Sequence, residues 1–318
     1  MWLMLLVLIP LLTGLLCLVV PTRPWWERLN LLAYLLVAAL ALKIGAEVTA
    51  LGHLTALDGF LRADALSALV IGLIAFVSVV AAIYAVGYFR REERDGKITP
   101  AQLRHYYVLT PLFTGAMLLV PLADNLGVMW VAMESTTLAS VLLVTFYNQK
   151  TSFEAGWKYI MLGSVGISLA LFGTILFYYS AVGGLGPNTH GGMNRSVLVR
   201  VADKFDPQAV RLAFLLVVLG YGTKAGLAPM HTWKPDAYAE APVPVATLLG
   251  AGFINCAIYA IIRFDVLAEK CLGHAFPGQL LVGFGVASIL VAAPFVLVQR
   301  NFRRLLAYSS IDHAGIMV

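Results

Sequence analysis

The sequence is poor in charged residues and in cysteines. Charged residues make up 12 % of the 318 residues, against about 25 % in a typical soluble domain, and this excludes an ordinary soluble fold. The cysteines Cys17, Cys256 and Cys271 lie far apart and form no iron–sulfur, haem-attachment or zinc pattern. We therefore predict no cofactor and no metal site. The net charge of +5 is small and the basic residues cluster in loops, which argues against a nucleic-acid partner.

What the sequence does contain is long apolar runs. Hydrophobic residues make up 60 % of the chain, and its mean hydropathy is +0.84. These values predict an all-α, polytopic membrane helix bundle in the lipid bilayer, a single membrane domain over 1–318 with room for about ten spans of roughly 20 residues. The runs predict helices near 2–20, 31–51, 64–88, 105–122, 126–147, 153–181, 209–231, 242–264, 277–299 and 303–318.

The ends and loops of these runs carry further information. The N-terminus lacks a basic n-region and a cleavage site, so the first run is predicted to be a retained span rather than a signal peptide. The last run stops at Val318 without a cap or a polar tail, and we expect the chain to be part of a longer protein. The odd-numbered loops hold most of the loop lysines and arginines, which predicts that they face the cytoplasm and that the N-terminus lies outside.

Two charged residues fall inside apolar runs. Glu134 lies in the fifth predicted helix and Lys224 in the seventh. Each costs a few kcal/mol, on the order of 3, at the bilayer centre unless it is paired or hydrated. One interpretation is a structural ion pair, and the other is a pair that carries protons or ions. The cost of intramembrane charge favours the second, and both interpretations predict that the two side chains face each other inside the bundle.

The surroundings of Lys224 predict a broken helix. Gly220, Gly222 and Gly226 surround the lysine, and Pro229 follows it. Glycine and proline loosen a helix and free its carbonyls, and broken helices at mid-membrane recur at ion sites in transporters. We therefore predict that the seventh helix breaks between Gly220 and Pro229.

Four further titratable residues are candidates for a proton path. Lys158, near the start of the sixth helix, is equally consistent with snorkelling to the membrane edge and with a relay. His231 lies in a loop predicted near the surface, where it either forms the entry of a path or belongs to a capped turn. Asp312 and His313 are adjacent in the last run, and a histidine at that depth favours a relay.

At several of these positions the sequence resembles a known family, the antiporter-like membrane subunits of respiratory complex I, Mrp-type antiporters and membrane-bound hydrogenases. The amino-acid sequence of these motifs is most similar to that of the component F branch of the hydrogenase-4 and formate-hydrogenlyase group. The segments that carry the resemblance are HYYVLTPLFTGAMLL (105–119), NLGVMWVAMESTTLAS (125–140), AGWKYIMLGS (155–164), KAGLAPMHTWKPDAYAEAPVPVATLLGA (224–251) and FRRLLAYSSIDHAGIM (302–317).

The resemblance implies site residues and an architecture. The family's fifth-helix glutamate falls on Glu134, its broken-helix lysine on Lys224 and its sixth-helix lysine on Lys158. Many relatives carry a base in the eighth helix, where this chain has Gly250 and Asn255, and Asp312 with His313 resembles the acid–His pair of the hydrogenase branch. The resemblance also implies about fourteen helices, more than the roughly ten spans that this length accommodates. The antiporter-like core is expected over about 105–318, preceded by N-terminal helices in 1–104.

These observations predict a proton-translocating inner-membrane subunit of an energy-converting oxidoreductase. The chain has no predicted redox centre of its own, so its expected partners are other membrane subunits and soluble redox subunits of a larger complex. One alternative is a subunit of a cation/proton antiporter or of a bicarbonate-uptake module. Another is a structural membrane anchor that pumps nothing. The electron donor and the choice between H⁺ and Na⁺ stay open.

Overall fold

The fold is known from a computed structural model, which describes residues 2–185 and 191–318. Within these ranges, eight helices are long and apolar enough to cross a membrane, so the chain is a multi-pass membrane protein as predicted. The helices are α1 (Trp2–Val19), α2 (Arg23–Leu51), α3 (Ala65–Arg94), α4 (Pro100–Leu122), α5 (Leu126–Val144), α6 (Lys150–Ala181), α7 (Arg195–Val201), α8 (Pro207–Ala225), α9 (Trp233–Glu240), α10 (Val243–Thr247), α11 (Ile254–Leu272), α12 (Ala275–Val298) and α13 (Phe302–Met317). A π-helical turn, Leu248–Phe253, joins α10 to α11, so that Val243–Leu272 forms one long helix.

Several helices extend further than the apolar runs predicted. Helix α2 starts at Arg23, with proline in its first turn, rather than near residue 31. Helix α3 continues to Arg94, so most of the segment 90–96, which has the composition of a solvated loop, is helical. Charged side chains are tolerated in these end turns because they reach water, whereas a hydropathy pattern detects only the apolar middle of a span.

Two elements at one end of the bundle were not predicted. Strands β1 (His53–Ala56) and β2 (Leu61–Asp64) form an antiparallel hairpin in the register His53↔Asp64. Its turn contains Leu57, Asp58 and Gly59 at positive φ. Helix α7 lies near the same end, since Arg195 at its start contacts Asp64. Both elements lie in predicted loops. They are too short to show the hydrophobic periodicity from which a strand or a helix is predicted.

The seventh predicted helix, α8 in the structure, breaks within the glycine-rich segment, as predicted. Helix α8 ends at Ala225, and Gly226 caps it in the left-handed conformation at φ 79°. The chain then turns through the cis peptide Ala228–Pro229 before α9 begins at Trp233. The apolar run that extends to residue 231 is therefore divided at Gly226, within the predicted range of Gly220 to Pro229, because glycine adopts this left-handed conformation without strain.

Helices α6 and α8 approach each other through glycines. A Cβ on Gly220 would lie 2.5 Å from the backbone nitrogen of Ala170. On the α6 side, a Cβ on Gly166 would lie 2.6 Å from Cβ of Thr223, the residue before Lys224. These positions therefore accept hydrogen only, and the close contact fixes the end of α8 against α6.

Candidate functional site

Glu134 and Lys224 form an ion pair inside the bundle. Glu134 lies about 12 Å along the axis from the start of α5, and Lys224 is in the last turn of α8. Lys224 Nζ lies 3.2 Å from Oε2 of Glu134. Lys224 is 1 % exposed, and the Glu134 side chain is 24 % exposed. The prediction that the two side chains face each other is confirmed.

Helix α5 binds the Lys224 ammonium group, and α6 lies close to it. Besides pairing with Glu134, the ammonium group donates a hydrogen bond to the Thr137 hydroxyl, one turn further along α5. Helix α6 leaves room for it, because a Cβ on Gly163 would lie 3.3 Å from Nζ. The hydroxyls of Ser135 and Thr136 bond instead to carbonyls of their own helix. Of the hydroxyl residues following Glu134, Thr137 is therefore the one that bonds to the lysine.

An aromatic layer covers the broken end of α8. Tyr159 on α6 shares a hydrogen bond of 2.8 Å with Ser140 on α5. Its ring lies against Trp233, with the centroids 4.7 Å apart, and Trp233 Nε1 donates to the Thr223 carbonyl over 2.9 Å. Both aromatic residues are buried, so they separate the ion pair from bulk water on this side.

Lys158 lies apart from the Glu134–Lys224 pair. Its ion-pair partners in the described ranges are Glu154 at 2.7 Å and Asp236 at 3.0 Å, and its own side chain is 44 % exposed. Asp236 also pairs with Arg304 at 2.7 Å. Lys158 thus links α6 to α9 at a polar edge.

The other predicted relay residues are not in direct contact with the pair. His231 is half-buried in the turn after the break, and its Nδ1 has no hydrogen-bond partner in residues 2–185 and 191–318. On α13, Asp312 is half-buried and His313 is exposed. His313 Nδ1 donates to the Ser309 carbonyl at 2.7 Å, which is a bond within its own helix.

The expectation that the loop after His231 lies near the surface is wrong. Trp233, Lys234 and Pro235 are all buried. Lys234 is 0 % exposed, and its Nζ donates to the Ala225 carbonyl at 3.0 Å and to the Ser310 carbonyl at 3.2 Å. The chain turns inward here because the freed carbonyl of the broken helix needs a donor, and Lys234 supplies one.

A second ion cluster lies at the hairpin end of the bundle. Asp64, the N-cap of α3, accepts from Arg195 at 3.1 Å and also from Arg263 on α11. Arg195 lies 3.7 Å from Asp124 as well. Burial alone would raise the pKa of the Asp64 carboxyl, but the hydrogen bond and charge of Arg263, with the charge of Arg195, hold it well below its usual value. The carboxylate is therefore ionised at neutral pH.

Comparison with known proteins places this arrangement in a family. A family model described as NADH:quinone oxidoreductase/Mrp antiporter, TM matches residues 123–318, the part that contains both Glu134 and Lys224. The chain belongs to the NADH:quinone oxidoreductase/Mrp antiporter family. The resemblance seen in the sequence motifs is thereby confirmed.

Relatives of this antiporter-family chain include a hydrogenase-4 component F homolog and an NADH-quinone oxidoreductase subunit. It is 40 % identical over 258 residues to the hydrogenase-4 component F homolog of Methylacidiphilum infernorum, covering 81 % of this chain and 54 % of that protein. It is 31 % identical over 268 residues to NADH-quinone oxidoreductase subunit N 2 of Roseiflexus castenholzii, covering 82 % and 50 %. The chain thus spans about half the length of these relatives.

The fold agrees with this assignment. A chain of the archaeal membrane-bound sulfane sulfur reductase superposes with a TM-score of 0.84 at 24 % identity, covering 99 % of this chain and 63 % of that chain. At this identity the likeness concerns the fold alone.

Sequence reasoning missed three groups of residues in this antiporter-family chain. Lys234 had no usable signal, since its neighbours Pro235 and Asp236 are typical of a solvated turn. Tyr159 stands beside Lys158, but nothing in the sequence indicates its bond to Ser140. Asp64 and Arg263 lie far apart in the chain, and their pairing has no local signal. Within the described residues no group of three or more His, Cys, Asp or Glu could hold a metal ion.

Proposed function

We propose that this chain is a proton-translocating, antiporter-like subunit of an energy-converting oxidoreductase complex of the hydrogenase-4 or complex I type. The observation that carries the proposal is the buried Lys224, paired with Glu134 in the last turn before a helix break. An intramembrane ion pair is costly, and a helix end at this depth recurs at ion sites in transporters. The membership of a family that contains such subunits supports it.

The mechanism follows from what the pair can do. While Glu134 is close, the ammonium form of Lys224 is stabilised by the carboxylate and by the Thr137 hydroxyl. Two unit charges about 4 Å apart attract by about 4 kcal/mol at an effective dielectric of 20. Moving the carboxylate away removes that attraction and leaves the ammonium in a dry site. Lys224 then gives up its proton, and the return of Glu134 allows it to take another.

The remaining expectations belong to the same proposal. We place the chain in the inner membrane with its N-terminus on the outer side, as the loop charges indicate. Its partners would be other membrane subunits and soluble redox subunits, which carry the electron chemistry. Lys158, His231, Asp312 and His313 would belong to the wider path. The antiporter-like core would cover about 105–318 of a single membrane domain.

The test replaces Lys224 by methionine, which has a similar length and no charge. We expect Lys224→Met to abolish proton uptake by proteoliposomes that contain the intact complex, with uptake measured against redox turnover. Assembly should survive, because Glu134 can be neutralised by binding a proton. Lys97→Met, at a lysine with 55 % side-chain exposure, is the control and should pump normally. An unchanged number of protons per electron in Lys224→Met would make Lys224 structural and favour a membrane anchor.

A cation/proton antiporter is the second candidate, because the family that matches the chain includes Mrp antiporters. The two candidates differ in their partners rather than in the lysine site. Purification of the native complex distinguishes them: hydrogenase-like or NADH-oxidising subunits support the oxidoreductase, and a complex without redox subunits supports the antiporter.

A further inference from the structure

Lys234 is a buried cation without an acidic partner. It is 0 % exposed, and its hydrogen bonds go to two backbone carbonyls, those of Ala225 and Ser310. No carboxylate within residues 2–185 and 191–318 lies within 4.0 Å of its Nζ. An ammonium group buried without a counter-ion is strongly disfavoured, because burial removes its hydration and no opposite charge replaces it.

The neutral amine fits these surroundings better than the ammonium ion. A neutral lysine amine has two N–H donors and one lone pair, and the two carbonyls take up both donors. The lone pair is then free to accept a proton. An ammonium ion would instead have a third donor to satisfy, and the described residues offer it no further hydrogen-bond acceptor.

The position of Lys234 connects the broken helix to α13. One of its carbonyl partners is Ala225, the residue directly after Lys224. Lys234 also packs on the cap of α8, since a Cβ on Gly226 would lie 3.2 Å from its Nζ. The other partner, Ser310, lies on α13, which also carries Asp312. Lys224 Nζ lies against α5 and α6, whereas Lys234 Nζ lies against α13. The two side chains therefore lie on different sides of the helix break.

A cavity of about 420 Å³ lies next to two neighbours of Lys234, Ser310 and Tyr238, although Lys234 itself does not line it. Its lining is mostly apolar, and its polar side chains are those of Tyr238, Thr247, Arg303 and Ser310. The Tyr238 ring centroid lies 5.9 Å from Nζ, and the buried Tyr238 hydroxyl has no hydrogen-bond partner in the part of the chain that the structure describes. The volume exceeds the roughly 30 Å³ that one water occupies in the liquid, and a water at the Tyr238 end has polar partners in the unpartnered Tyr238 hydroxyl and the Ser310 hydroxyl.

We propose that Lys234 is a second proton-carrying lysine, which receives the proton that Lys224 releases and passes it into this cavity towards α13. The inference rests on the proposed function. The two amines face different partners, so the transfer runs through an intervening water: the Lys224 ammonium becomes an amine, the water passes the proton on, and the Lys234 amine becomes an ammonium, with no change of redox state. Lys234 then loses the proton to water or hydroxyl groups in the cavity, and its two carbonyl bonds hold the neutral amine again.

The first test is Lys234→Gln in the assembled complex. A glutamine amide supplies two N–H donors for the same two carbonyls but cannot take up a proton at neutral pH. We expect assembly and loss of coupled proton uptake, and Lys234→His should recover part of the uptake because imidazole titrates. Lys270→Gln is the matched control, since Lys270 also donates to a backbone carbonyl, that of Val199, but is exposed. This control should pump normally.

The second test is Tyr238→Phe, which removes the unpartnered hydroxyl and little else. A merely structural Tyr238 loses nothing, whereas a path through the cavity predicts slower proton uptake at unchanged assembly. If Lys234→Gln pumps normally while Lys224→Met does not, the inference is overturned and the proposed function stands. If neither variant affects pumping, the proposed function itself fails. If Lys234→Gln does not assemble, Tyr238→Phe decides, and normal uptake in that variant overturns the inference.

Discussion

The two ion clusters of this chain differ in what holds them. At the hairpin end, Asp64 is bound by Arg195, by Arg263 and by the backbone N–H of Ser67. At the broken helix, Lys224 has one carboxylate and one hydroxyl, and its helix stops one residue later. Arginine stays protonated in proteins, whereas lysine can lose its proton when buried. The first cluster is therefore a fixed connection, and the second is suited to switching.

Their positions in the fold agree with this difference. The Asp64 cluster joins the hairpin, α3, α7 and α11, which are distant in the chain. The Lys224 pair joins α5 to the last turn of α8, which the glycine contacts already fix against α6. Removing a charge from the first cluster should thus affect stability most, and removing one from the second should affect transport most.

The largest stability effect is expected from Asp64→Asn. It leaves two arginines without their shared carboxylate, and removal of one partner from a buried pair costs about 3–5 kcal/mol. Because the pKa of Asp64 is held below its usual value, the cluster stabilises the wild type fully above about pH 4 and loses this contribution only on further acidification. The free energy of unfolding in detergent, measured from pH 5 to 8, should fall in the variant throughout.

Asp58→Asn is the control for this prediction. Asp58 is exposed in the hairpin turn at φ 52°, and asparagine tolerates positive φ as well as aspartate does. Its unfolding should match the wild type. Equal stability of Asp64→Asn and Asp58→Asn would contradict the fixed connection.

A smaller stability effect and a complete transport effect are expected from Glu134→Gln. Glutamine keeps an acceptor for Lys224 and loses the charge. Because Lys224 can then become neutral instead of remaining an unpaired buried ammonium, we expect a cost of about 1 kcal/mol, typical of one hydrogen bond. Proton uptake per redox turnover should be lost, because the counter-charge that holds the lysine's proton is gone. Glu154→Gln, at a 65 % exposed carboxylate, should change neither quantity. Intact pumping in Glu134→Gln would remove the switch and leave two structural clusters.

The smallest effect is expected at the exposed pair of Glu269 and His274. The hydrogen bond and charge of Glu269 raise the pKa of His274, whose side chain is 87 % exposed. The pair therefore stabilises the protein below about pH 6.5 and loses this contribution as the pH rises through the raised pKa. Glu269→Gln should shift the NMR titration of His274 to lower pH and leave stability at pH 9 unchanged. An unshifted titration would show that the contact is absent in solution.

The sequence was sufficient to predict features that depend on a residue and its immediate neighbours, such as a charge in an apolar run or a glycine in a helix. A glutamate and a lysine inside apolar runs must find partners, and Glu134 with Lys224 did so. A glycine-rich segment around a lysine must interrupt its helix, and Gly226 does. In both cases the residues and their immediate neighbours contain the physical reason.

The sequence was insufficient where tertiary packing decides. Lys234 stands among proline and aspartate, which is typical of a solvated turn, and only the packing of α13 shows that it is buried. Asp64 and Arg263 each look like charges at a helix end or in a loop until the fold brings them together. The hairpin β1–β2 is too short to produce a recognisable alternation.

The glycine contacts between α6 and α8 also limit how a signal can travel through this protein. Gly173 extends the seam of Gly166 and Gly220, since a Cβ on it would lie 2.8 Å from the Ala213 carbonyl oxygen. The two helices resist sliding along each other, because the side chains of Thr223 and Val217 occupy the space left by Gly166 and Gly173. Helix α8 is therefore held in a fixed position against α6. What moves in a working cycle must be side chains and charge, and distant events can reach Lys224 as a change of electric field without displacing its helix.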